Sequence, residues 1–72
     1  MTPLYLMWQD HDRQRPAAQK IAAACAAYRV RFGKDATVAL VNQADAGALV
    51  DGVAVRAEGR VGPGLYHVGR EP

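Results

Sequence analysis

The chain contains no serine, one cysteine, one phenylalanine and one tryptophan among 72 residues. Without serine, and with Thr2 and Thr37 as the only other aliphatic hydroxyls, there is no serine nucleophile for acyl transfer. A lone Cys25 cannot cross-link the chain to itself, so nothing calls for an oxidising compartment. No run approaches the eighteen or so apolar residues of a membrane span. The opening MTPLYLMWQDHD has no early basic residue and no small-residue cleavage site, and does not read as a secretory signal. The expected setting is the cytoplasm, with no membrane partner and no cofactor. Cys25 falls on an apolar helical stripe, where a thiol is a small core residue and not a nucleophile.

What is present is a folded composition, 50% hydrophobic and 22% charged. A chain of this size reads as one small α/β domain over residues 1–72, with 70–72 as a loose tail. Such a domain buries only about 60% of the surface its unfolded chain exposes. Much of the apolar content is alanine, which favours helix and buries little area. The net charge of +2 is unevenly spread. Arg13, Arg15, Lys20, Arg29, Arg31 and Lys34 fall within one acid-free segment, and the regions on either side are each net acidic.

Residues 4–8 read as a strand with apolar side chains on both faces, the pattern of a central strand. Residues 14–33 read as a helix, with Ile21, Cys25, Tyr28 and Phe32 on one stripe and Lys20 and Arg31 on the far side. Pro16 suits its first turn and Gly33 the position just past its end. Thr37 to Val41 reads as a second central strand. Strand, helix and strand predict a parallel pair joined by a right-handed crossover, with Trp8, Asp10, His11 and Asn42 gathered at one edge. Asn42 to Asp45 suits a capped turn, Asp51-Gly52 a small hairpin, and Val53 to Arg56 a half-buried strand. Gly62-Pro63-Gly64 suits a type II turn before a last strand over 65–68. The expected fold is α+β: one helix on a mixed sheet of about four strands, β-α-β followed by an antiparallel hairpin region. The expected core is Leu4, Leu6, Ile21, Tyr28, Phe32, Val38 and Leu40.

Three stretches, YRVRFGKDATVALVN, VDGVAVR and VGPGLYHVGRE, together resemble a group of short uncharacterised bacterial proteins. In that group an Arg-Phe-Gly helix end leads into a Val-rich strand, and a Pro-containing turn precedes an aromatic closing strand. The resemblance covers roughly residues 20–69 and implies a bacterial, cytoplasmic, single-domain protein. It carries no activity and no functional residues.

The densest polar stretch is WQDHDRQRP, residues 8–16. Asp10 and His11, with a distant His67, offer the donor types of a transition-metal site. Adjacent side chains on an extended segment point apart, however, and an aspartate before a helix also suits its positive end. Glycines 59, 62, 64 and 69 precede no helix and do not form a phosphate cradle. One helix covers one sheet face, so Tyr5, Met7 and alternate residues of 37–41 are left on an open apolar face, which marks an interface. The expected function is therefore a small non-enzymatic protein-interaction module, a dimer associating through that face. The alternative is a nucleic-acid-binding accessory protein using Arg13, Arg15, Lys20, Arg29, Arg31 and Lys34. The third is metal binding or catalysis through Asp10, His11 and His67.

Overall fold

A computed structural model describes residues 5–71. The order along the chain is β1 (Tyr5–Gln9), α1 (Ala17–Phe32), β2 (Val38–Val41), a 3-10 turn (Gln43–Asp45), β3 (Ala54–Ala57) and β4 (Leu65–Gly69). One helix packs on a four-stranded mixed sheet, as the sequence pattern predicts. Leu4, expected in the core, lies outside the described residues.

The helix begins after Pro16, whose extended backbone caps it, and stops at Gly33. Gly33 adopts φ 71°, and its N–H donates to the Arg29 carbonyl. A side chain at that φ would be strained, so the Arg-Phe-Gly sequence is a stop signal with a backbone cause. Arg29 and Arg31 stand in the last turn, where the helix dipole favours positive charge.

The sheet order is β1-β4-β2-β3. β4 runs antiparallel to both β1 and β2, so those two share a direction without being neighbours. The expected adjacent parallel pair is thus split by the last strand, and β1 is an edge strand and not a central one. Its two apolar faces have different causes. Leu6 and Trp8 pack toward the helix side, whereas Tyr5 and Met7 alternate to the bare side. Burial on both faces and exposure of one edge leave the same sequence pattern.

β3 is the other edge and pairs in parallel with β2. The connection from Asn42 to Val53 is a crossover of the minimal length that parallel neighbours need. Asp51-Gly52 does turn the chain, with Gly52 at φ 73°, but the hairpin it closes amounts to the single Val50–Val53 bridge. The residues after it pair in parallel with β2 instead of extending that hairpin, which corrects the expected antiparallel region. The turn before β4 forms as predicted: Leu65 N–H donates to Gly62 O at 3.2 Å around Pro63 and Gly64, φ 79°.

The core under the helix joins Ile21, Ala24 and Tyr28 to Ala39, Val41, Tyr66 and Val68, with Leu6, Trp8, Cys25 and Phe32 partly buried around it. The Tyr28 and Phe32 rings pack at 4.6 Å between centroids, tilted by 42°. On β2 it is Ala39 and Val41 that meet the helix. Val38 is buried outside that cluster, and Leu40 is only half-buried. Val38 is thus buried as expected, while the expected core placement of Leu40 is corrected: the helix-side positions of β2 lie one residue along, and a one-residue slip exchanges the two faces of a strand. Lys20, expected on the far side of the helix, is only 8% exposed. It lies one turn before Ala24 on the buried stripe, and a lysine there buries its methylene stem while the ammonium reaches outward. Past β4, an Arg70 guanidinium N–H donates to Asp35 O at 2.6 Å, and Glu71 N–H donates to Thr37 Oγ1 at 3.3 Å.

Candidate functional site

β1 and β2 run in the same direction, so their C-terminal ends meet the start of β4 at one edge of the sheet. Trp8 stands opposite Tyr66, and Tyr66 opposite Val41. Tyr66 is buried under the helix, and its hydroxyl donates to Asp45 Oδ2 at 3.3 Å in a part-buried hydrogen bond. Burial, followed by the nearby carboxylates of Asp45 and Asp10, pushes the phenol up from 10.0 to about 12. The hydroxyl is therefore a hydrogen-bond donor at neutral pH and not a base. Asn42 holds the 3-10 turn that presents Asp45: its Oδ1 accepts from Ala44 N–H at 3.0 Å, and its Nδ2 donates to Val61 O at 3.1 Å. The buried Trp8 indole N–H has no hydrogen-bond partner among the described residues.

The aspartates of WQDHD are occupied locally. Asp10 Oδ1 accepts from Asp12 N–H at 2.9 Å, and its Oδ2 pairs with Arg15 at 3.1 Å. Asp12 Oδ1 accepts from Gln14 N–H at 2.9 Å. These side-chain-to-backbone bonds are the turns that carry the chain from β1 to the helix. His11 lies 2.9 Å from Gln9 Nε2 and packs its ring directly on Gly64, while His67 sits mid-strand between Met7 and Leu40. The structure thus brings Asp10 and Asp45 each near Tyr66, and leaves His11 and His67 in different surroundings. Among the described residues no group of three or more His, Cys, Asp and Glu is placed to hold a metal ion.

The six basic candidates are dispersed. Arg15 is paired with Asp10, and Arg29 with Asp35 at 2.5 Å. Lys20 is buried, and Arg31 lies 5.8 Å over the Phe32 ring. Arg13 and Lys34 are exposed near opposite ends of the helix. A shallow groove of about 360 Å³ runs between α1 and the 50–53 turn, with Cys25 in its wall and the Arg29–Asp35 pair at its rim. Burial pushes the Cys25 thiol up, away from the reactive thiolate.

The remaining feature is the sheet face turned away from the helix, on which Val38 is buried and Tyr5, Leu40 and His67 are half-buried. Register aligns Met7, His67, Leu40 and Arg56 in one row across it, and Tyr5, Gly69, Val38 and Ala54 in the next. Met7 is 73% exposed. Arg56 is tied to Glu71 by an ion pair, which confines charge to the β3 side. The β1 side carries none, because Tyr5 to Gln9 is uncharged. The sequence pattern anticipates Tyr5 and Met7 on this face but not which residues of β2 join them, nor the Asp45–Tyr66 contact, whose partners are joined only by the insertion of β4. No helix of the described residues is long and apolar enough to cross a membrane. Comparison of the chain with family models, with curated proteins and with solved structures finds no match to any of them.

Proposed function

We propose that this chain is a small non-enzymatic protein-interaction module that associates with a second copy along the β1 side of the sheet surface left bare by α1. The observation that carries the reading is Met7, 73% exposed at the centre of an uncharged, aromatic-rich strand on that surface. Val30 and Leu49 are also exposed, but Val30 stands between Arg29 and Arg31 and Leu49 in the crossover loop, and isolated apolar side chains are ordinary on a surface. On β1, Met7 shares the bare side with its strand neighbour Tyr5, while Leu6 and Trp8 face the helix. Cys25 and Tyr66, both held in their neutral forms, suit a binding module better than nucleophilic or basic chemistry. A cytoplasmic setting goes with this reading, since the lone thiol needs no oxidising environment.

Sedimentation equilibrium over a wide concentration range tests the proposal. The expected result is a reversible increase in mass that Met7→Lys weakens and Val30→Lys leaves unchanged. A chain that stays monomeric up to millimolar concentration, or one whose association responds to Val30→Lys and not to Met7→Lys, would refute it.

A further inference from the structure

The backbone of β1 carries a second layer of information, resting on the self-association just proposed. Asp10 N–H donates to Gly64 O at 2.9 Å, in register with the Trp8–Tyr66 and Leu6–Val68 pairs. Hydrogen-bonded pairs alternate along an antiparallel ladder, so Leu6, Trp8 and Asp10 direct their N–H and C=O groups to β4. Tyr5, Met7 and Gln9 direct theirs away from the sheet. β1 is an edge in the sheet order, and α1 packs chiefly over β4. Natural edges are usually blunted by charge, proline or a bulge. The stretch Tyr-Leu-Met-Trp-Gln has none of these across five paired residues. The opposite edge is different: β3 is shorter and carries Arg56.

We infer that two copies pair edge to edge, β1 antiparallel to β1, about a two-fold axis midway between their Met7 residues and perpendicular to the sheet. The outward-directed set is self-complementary about that axis. Met7 falls opposite Met7 of the second copy and Tyr5 opposite Gln9, which gives about six main-chain hydrogen bonds. Antiparallel pairing about this axis keeps both helices on one side, so the two sheets become one of eight strands and the bare faces lie side by side. Opposed Met7 side chains then cover each other on that face.

Charge favours this arrangement over stacking the two faces. Stacking would have to desolvate His67 at the middle of the face and the Arg56–Glu71 pair at its side. Edge pairing leaves those groups in water and meets no charged side chain between Tyr5 and Gln9. The small contact makes the pair a reversible one.

Met7→Pro discriminates the two modes. Proline at residue 7 deletes an outward N–H and none of the bonds to β4, a change that edge strands tolerate. Leu40→Lys charges the middle of the face two strands from the edge. Sedimentation equilibrium of the full chain and both variants is the test, with circular dichroism and thermal unfolding checking each fold; Gln9→Pro, which also deletes an outward N–H, serves as the edge variant if Met7→Pro does not fold. Expected is a monomer–dimer equilibrium weakened about tenfold or more by Met7→Pro and unchanged by Leu40→Lys. A dimer that survives folded Met7→Pro but is lost in folded Leu40→Lys would overturn edge pairing and keep self-association. A wild-type chain that is monomeric throughout would overturn both.

Discussion

Substituting Gly64 by alanine tests the turn that sets both β4 and the loop after β1. Gly64 has φ 79°, and an added Cβ would overlap the His11 ring, Nδ1 and Cε1 included. Two separate costs follow. A left-handed residue with a Cβ costs roughly 1–2 kcal/mol, offset by about 0.5 kcal/mol because alanine restricts the unfolded chain. Displacing the exposed imidazole from its place beside Gln9 adds about 0.5–1.5 kcal/mol. The expected net loss is about 2 kcal/mol, a fall in Tm of roughly 8–16 °C for a domain of this size. Urea unfolding at low chain concentration reads it, and a double-mutant cycle with His11→Ala separates the terms. In the His11→Ala background the cost of Gly64→Ala should shrink to about 1 kcal/mol. A cost below about 0.5 kcal/mol would refute the backbone reasoning. A cost that does not depend on His11 would refute the steric reasoning.

Three further perturbations follow from the same geometry. Asn42→Ala removes the cap on Ala44 N–H and leaves the Val61 carbonyl without its Nδ2 donor, so a loss of about 1–2 kcal/mol is expected in urea unfolding. The Tyr66 phenol is raised to about 12 in the fold against 10.0 when unperturbed. Its contribution is therefore fully present below pH 10 and lost as pH climbs toward 12, and Asp45→Asn should move the phenolate absorbance transition of Tyr66 downward. Lys20→Met keeps the buried stem and removes the ammonium, so thermal stability should hold or rise by up to about 1 kcal/mol, whereas Lys20→Ala should lose about 1–2 kcal/mol of stem burial.

Much of this fold is legible in the chain because its signals are local. Pro16 and Gly33 bracket the helix and Pro63-Gly64 makes the last turn through their backbone conformations, and Asn42 caps the 3-10 turn with its side-chain oxygen. Strand order is not local. β1 reads as central because Leu6 and Trp8 serve the core while Tyr5 and Met7 serve the bare face, and nothing in five residues tells which neighbour lies alongside. The same gap hides the Asp45–Tyr66 contact, which spans 21 residues and exists only because β4 enters between β1 and β2. Lys20 misleads for a different reason: periodicity sorts residues by polarity, and a long aliphatic stem lets a charged residue occupy a buried position. The WQDHD stretch looks like a ligand site by composition, yet each aspartate is taken up by the turn that begins the helix.

The central claim is that β1 is an open edge that closes on a second copy, and amide hydrogen exchange read residue by residue along β1 tests it most directly. In dilute solution Leu6 and Trp8 should be protected by β4 while Met7 and Gln9 exchange freely. Raising the chain concentration should bring protection to Met7 and Gln9 and leave Leu6 and Trp8 as they were. Met7 and Gln9 amides that exchange at the same rate at every concentration would contradict it.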